Sequence, residues 1–174
     1  MYKYVKITYA ISLLLHMLIV ILNINDYIAF DILHMYSLYF ISIITFTWFD
    51  VIGYSDIVRG VYELKRTPLV VYRIIQTIVQ WSIFIYVFLY SPYIAILYIM
   101  SWWFGLCDHL YYVINDKERD WYFSDSHINM PWLWWTSFGM LKKEWQNNKT
   151  SQLMAKWVIL VSITIIPIIY VLTN

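Results

Sequence analysis

Five times along this chain a run of about twenty mostly apolar residues occurs, the length an α-helix needs to cross a bilayer. The runs cover residues 7–25, 33–53, 68–90, 92–114 and 153–172. Composition agrees: 61% of the 174 residues are hydrophobic and 13% are charged, against about 25% charged in soluble domains. A disordered chain and a nucleic-acid binder with a basic face are both excluded. The net charge of +1 offers no bulk attraction to acidic partners. The single cysteine, Cys107, excludes an internal disulfide framework and a multi-cysteine zinc site. The expected fold is an all-α, polytopic integral membrane bundle of five transmembrane helices, forming one domain over residues 1–174.

Several span boundaries carry a local signature. Thr67-Pro68 and Ser91-Pro92 each place a hydroxyl at a helix N-cap and proline at the first helical position, where its missing N–H costs nothing. Only a tight turn fits between the third and fourth runs, so they should form an antiparallel hairpin. Pro167 lies inside the fifth run and should kink it. The first run is too long for a cleaved signal peptide and lacks a small-residue cleavage pattern, so it reads as a retained span.

Basic residues set the orientation. Lys3 and Lys6 precede the first run. Arg59, Lys65 and Arg66 lie between the second and third, and Arg73 is one turn into the third. The rest, from Lys117 to Lys156, lie between the fourth run and the early part of the fifth. With a cytoplasmic N-terminus and an outer C-terminus, all 12 Lys and Arg face the cytoplasm. Residues 115–152 form the one long connection, charged from Asp116 to Asp120 and then rich in Trp and Tyr. An aromatic interfacial segment is expected there. Asn148-Lys149-Thr150 matches a glycosylation triplet, but on this topology it faces the cytoplasm and reads as chance.

Polar residues inside the runs fall in stripes. Tyr98, Ser101, Gly105, Asp108 and Tyr112 recur at steps of three and four and share one helical face. Arg73, Gln76, Thr77 and Gln80 do the same in the third run, and Tyr9, Ser12, His16 and Asn23 in the first. Thr47, Asp50 and Tyr54 form a shorter stripe in the second. Lipid rejects such stripes, so they should face the interior. Interhelical hydrogen bonds account for many of the Gln, Ser, Thr and Tyr residues. Arg73 could pair with Asp50 or Asp108 without any further function. With only four glycines, and no GxxxG, close backbone packing is scarce. Bulky aromatics would then wall a cytoplasm-facing cavity, polar at its mouth and apolar deeper in, suited to an amphiphile.

Acidic and imidazole groups gather at the same side. Asp50, Asp108, Asp125 and His127 are the candidate catalytic acid–base groups. Arg73, Gln76, Gln80, Ser101, Tyr112 and His16 are the candidate substrate contacts. Asp108, Asp50, His109, Asp125 and His127 could ligate a divalent metal ion, the cofactor this residue set suggests. Asp108 and His109, adjacent on a helix, point about 100 degrees apart and cannot easily share one ion. Asp56 lies in the connection after the second run and is more simply a solvated carboxylate. Trp132, Trp134, Trp135 and Trp145 read as anchors in the headgroup region. No HExxH, Gly-rich phosphate loop or GxSxG elbow occurs.

Three functions remain. The first is a membrane enzyme acting on a lipid, isoprenoid or similar hydrophobic molecule, with Asp125 and His127 closing the site from the aromatic connection. The second is a noncatalytic subunit, assembled with copies of itself or with partner membrane subunits. The third is a transporter or channel, disfavoured because the polar lane fades before the outer surface.

Overall fold

The computed structural model describes Leu14 and residues 31–125 and 128–173. Apart from Leu14, the first expected span lies outside the described residues, with Tyr9, Ser12, His16 and Asn23; so does His127. The elements are α1 (Asp31–Asp50), a π-helical continuation (Val51–Val61), α2 (Arg66–Tyr90), α3 (Pro92–Trp103) and α4 (Leu106–Ile114). They are followed by α5 (Asp116–Phe123), α6 (Trp132–Thr136), a 3₁₀ turn (Lys143–Trp145) and α7 (Asn148–Thr173). Every described element is helical. Among the described residues, three helices are long and apolar enough to cross a membrane, or four if α3 and α4 together make one span.

Helix α1 is the centre of the bundle and touches α2, α3, α4 and α7. Its Leu38, Tyr39, Ile43 and Phe46 are buried against Ile94 and Leu97 of α3, Leu106 of α4, and Ala155 and Ile166 of α7. One polar cluster inside this core is matched internally, whereas the Tyr98 hydroxyl is buried without a hydrogen-bond partner among the described residues. The Tyr39 hydroxyl meets Ser101 Oγ at 2.5 Å and donates to Ser162 Oγ at 2.8 Å, joining α1, α3 and α7. A buried hydroxyl without such partners would lose its hydration uncompensated.

The hairpin between α2 and α3 forms as its residues dictate. Helix α2 ends at Tyr90, Ser91 is extended at φ −154°, and its hydroxyl accepts from Ile94 N while Pro92 opens α3. At the other Ser/Thr-Pro pair the helix starts earlier than the sequence suggests. It begins at Arg66 with Lys65 as its cap, leaving Thr67 inside the first turn. Glu63 and Leu64, both with positive φ, turn the chain straight into the helix. Pro68 still falls among the first residues, whose N–H groups have no intrahelical partner.

Three other boundaries move. The second span does not stop at residue 53 but runs on as a π-helix to Val61, making one apolar rod of 30 residues. The last helix starts at Asn148 rather than residue 153, because Asn147 Oδ1 accepts from Thr150 N and supplies an N-cap bond. The fourth span is broken. Gly105 takes the left-handed conformation, φ 79°, and α4 leaves α3 at a bend of 64°. Glycine reaches that conformation without the penalty a Cβ imposes.

Pro167 removes the N–H that would bond the carbonyl of Ile163 one turn earlier. The Tyr36 hydroxyl of α1 donates to that same Ile163 oxygen at 2.5 Å. A neighbouring helix thus satisfies the backbone group that the proline frees.

Candidate functional site

The bend at Gly105 opens the region where the candidate groups meet. A Cβ built on Gly105 would lie 2.1 Å from Trp132 Cζ3, so the indole of α6 packs directly on the bare backbone. Beside it lies a cavity of ≈ 670 Å³. Asp50 and Tyr54 enter it from the α1 rod, Arg73 and Gln76 from α2, and Cys107, Asp108, Tyr111 and Tyr112 from α4. The remaining wall is Phe46, Trp102 and Trp103 together with Pro131, Trp132, Trp135 and Thr136 of the connection.

Asp50 sits where the α-helix passes into the π-helix. Its Oδ1 accepts from the Tyr72 hydroxyl and from Gln76 Nε2, the latter at 2.6 Å. Tyr72 can approach because Gly53 presents no side chain: a Cβ there would lie 2.5 Å from the Tyr72 ring. Arg73 donates to Gln76 Oε1 at 2.6 Å, and its guanidinium lies 5.3 Å from the Tyr54 ring centre and 5.6 Å from that of Tyr72. Arg73 is therefore linked to Asp50 through Gln76 rather than by the expected direct ion pair, and it acts on Asp108 only at longer range. Asp108, in the first turn of α4, makes no hydrogen bond with any other described side chain. The indole N–H groups of Trp103 and Trp132 are buried and unpartnered among the described residues.

Of the residues singled out in the sequence, Asp50, Asp108, Arg73, Gln76 and Tyr112 come together at the cavity. Others lie elsewhere. Ser101 is in the dry core, bonded to Tyr39 and to the Leu97 carbonyl. Gln80 is buried on α2 and does not line the cavity. Asp125 is exposed and pairs with Lys149 at 2.8 Å, outside the cavity lining. His16 and His127 lie outside the described residues. Among the described residues, no group of three or more His, Cys, Asp or Glu comes together to hold a metal ion.

His109 turns away from Asp108 and fastens the connection. Its Nδ1 lies 2.8 Å from the Tyr122 hydroxyl, which in turn lies 2.8 Å from Ser151 Oγ on α7. Asn148 and Gln152 both donate to the Tyr122 carbonyl at 3.0 Å. Burial pushes the Tyr122 phenol up to about 12, against the lowering effect of Ser151, and the charge of Asp108 adds to the rise. The buried Asn148 amide also donates to Ser124 O at 2.9 Å. Its engagement leaves no free acceptor for glycosylation.

The tryptophans are what the sequence reading missed. Trp132 and Trp135 line the cavity, whereas spacing alone places them in the headgroups. The available signal was Gly105, a lone glycine on a polar stripe directly after Trp102-Trp103. Comparison of the chain with protein families, with characterised proteins and with solved structures found no match.

Proposed function

We propose that this chain is a small multi-pass membrane enzyme of five spans, N-terminus cytoplasmic and C-terminus outside. It draws a lipid, isoprenoid or similar amphiphile into the cavity from the cytoplasmic leaflet. One observation carries the reading: carboxylates from two separate helices, Asp50 and Asp108, converge on one cavity whose other wall is aromatic. Its ≈ 670 Å³ falls within the range of ligand sites, roughly 300–1,000 Å³. Asp50 is fixed by Tyr72 and Gln76 and so suits a positioning or electrostatic role. Asp108, without a side-chain hydrogen bond, is the group able to exchange a proton with a bound molecule. The basic residues near the same end favour the cytoplasmic placement.

The test compares total lipid extracts of membranes incubated with the purified protein or with its Asp108→Asn variant, read by mass spectrometry. A lipid species converted by the wild type and not by a folded variant is the expected result. Equal profiles from both would remove the enzyme reading.

A noncatalytic membrane subunit is the second reading. It draws on the exposed apolar face of α2, where Val71, Ile74, Ile78 and Ile85 meet lipid or another helix. It predicts a stoichiometric partner after gentle extraction, and function undisturbed by Asp108→Asn.

A further inference from the structure

We infer that the cavity takes an amphiphile with a cationic headgroup, an ammonium or alkylated ammonium at the end of an aliphatic chain. This rests on the amphiphile reading above and specifies the headgroup.

Among the described residues, three charged side chains line the cavity: Asp50, Asp108 and Arg73. With all three ionised, two negative and one positive group leave a formal charge of −1. Two of the three are already engaged. Asp50 accepts from Tyr72 and Gln76. Arg73 donates to Gln76 and lies over the rings of Tyr54 and Tyr72. Asp108 makes no hydrogen bond to another described side chain, and when ionised it presents a negative charge to an incoming headgroup. Charges in a low-dielectric site act strongly, so an anionic headgroup would be repelled there and a cation held.

The rest of the wall suits the same chemistry. Four indoles, Trp102, Trp103, Trp132 and Trp135, line the cavity together with Asp108. The face of an indole is the best side-chain partner for a cation, and aromatic cages are how quaternary ammonium groups are recognised. A cavity lined by a carboxylate and by indoles thus holds the side-chain types that supply the counter-charge and the aromatic surface an alkylated cation needs.

The test uses the full chain in a neutral maltoside detergent and three probes of equal chain length: octyltrimethylammonium, octanol and octyl phosphate. Binding is followed by calorimetry and tryptophan fluorescence. Octyltrimethylammonium should bind at least tenfold tighter than either of the others. Asp108→Asn should weaken it about 30-fold, the equivalent of ~2 kcal/mol for a desolvated cation contact, and leave octanol unchanged. Trp135, 65% exposed, is replaceable without disturbing the core, and Trp135→Leu should weaken the ammonium probe selectively. Tighter binding of octyl phosphate, or equal binding of all three, overturns the headgroup assignment and leaves the amphiphile reading standing. Ammonium binding unaffected by both variants also overturns it. If none of the three binds, both readings fall.

Discussion

Replacing Gly105 by alanine should destabilise the protein through two separable effects. The residue has φ 79°, and an L side chain there costs roughly 1–2 kcal/mol. The new methyl would also lie 2.1, 2.5 and 3.0 Å from three atoms of the Trp132 ring, where ordinary contacts begin near 3.4 Å. The ring must move by more than an ångström, and such overpacking costs typically about 1–3 kcal/mol. The sum is roughly 2–5 kcal/mol, or about 4–20 °C in melting temperature for a chain of this size. Unfolding by heat or by SDS in mixed micelles, followed by circular dichroism, measures it. Adding Trp132→Ala removes the ring, so a double-mutant cycle should return the steric part and leave the backbone part. The sign of the single effect is decisive. Were residues 92–114 one straight span, Gly→Ala would stabilise the helix by about 1 kcal/mol. A variant more stable than the wild type would refute the bend, and with it the cavity that the bend opens.

Three further outcomes are expected. Tyr36→Phe leaves the Ile163 carbonyl unsatisfied within an apolar span and should cost about 0.6–2 kcal/mol. In a Pro167→Ala background, where the backbone N–H returns, that cost should vanish; an unchanged cost would show that the tyrosine does not serve the carbonyl. Ser91→Ala removes the cap on α3 and should cost about 0.5 kcal/mol, the low end for N-caps because the bond to Ile94 N is long at 3.4 Å. The third concerns pH. The Tyr122 phenol holds its proton in the folded state up to about 12, above its ordinary value of 10.0. Between those values the folded state binds more protons than the unfolded one, so stability contributed by this group is full below pH 10 and falls as pH rises towards 12. Tyr122→Phe should be less stable at neutral pH, and its alkaline loss should be shallower than that of the wild type. Parallel curves would exclude Tyr122 as the source.

Much of the local design is legible in the chain. The Ser91-Pro92 pair caps and opens α3 because both effects act within one turn. The 3.6-residue period puts Asp108 and Tyr112 on one face of α4, and Asp50 and Tyr54 on one side of the α1 rod. Adjacent His109 points elsewhere for the same reason. Periodicity narrows a residue to a face of its own helix but says nothing about what that face meets. Ser101 and Asp108 share a stripe, yet Ser101 bonds Tyr39 in the core and Asp108 lines the cavity, because Gly105 bends the chain between them. The 102–103 and 132–135 tryptophans are as apolar on paper as any headgroup anchor. Only the fold of the connection over Gly105 brings Trp132 and Trp135 to the cavity that Asp108 lines.

By itself, then, the sequence determines that the described chain is helical, that several helices are long and apolar enough to span a bilayer, and where the hairpin turns. These follow from hydrophobic length, backbone propensity and capping, which act between residues a few positions apart. Tertiary structure decides which charges meet, which remain uncommitted, and which aromatic rings wall the cavity. Those outcomes depend on contacts between distant residues, Gly105 with Trp132 and Asp50 with Tyr72, whose energies exist only once the helices have packed.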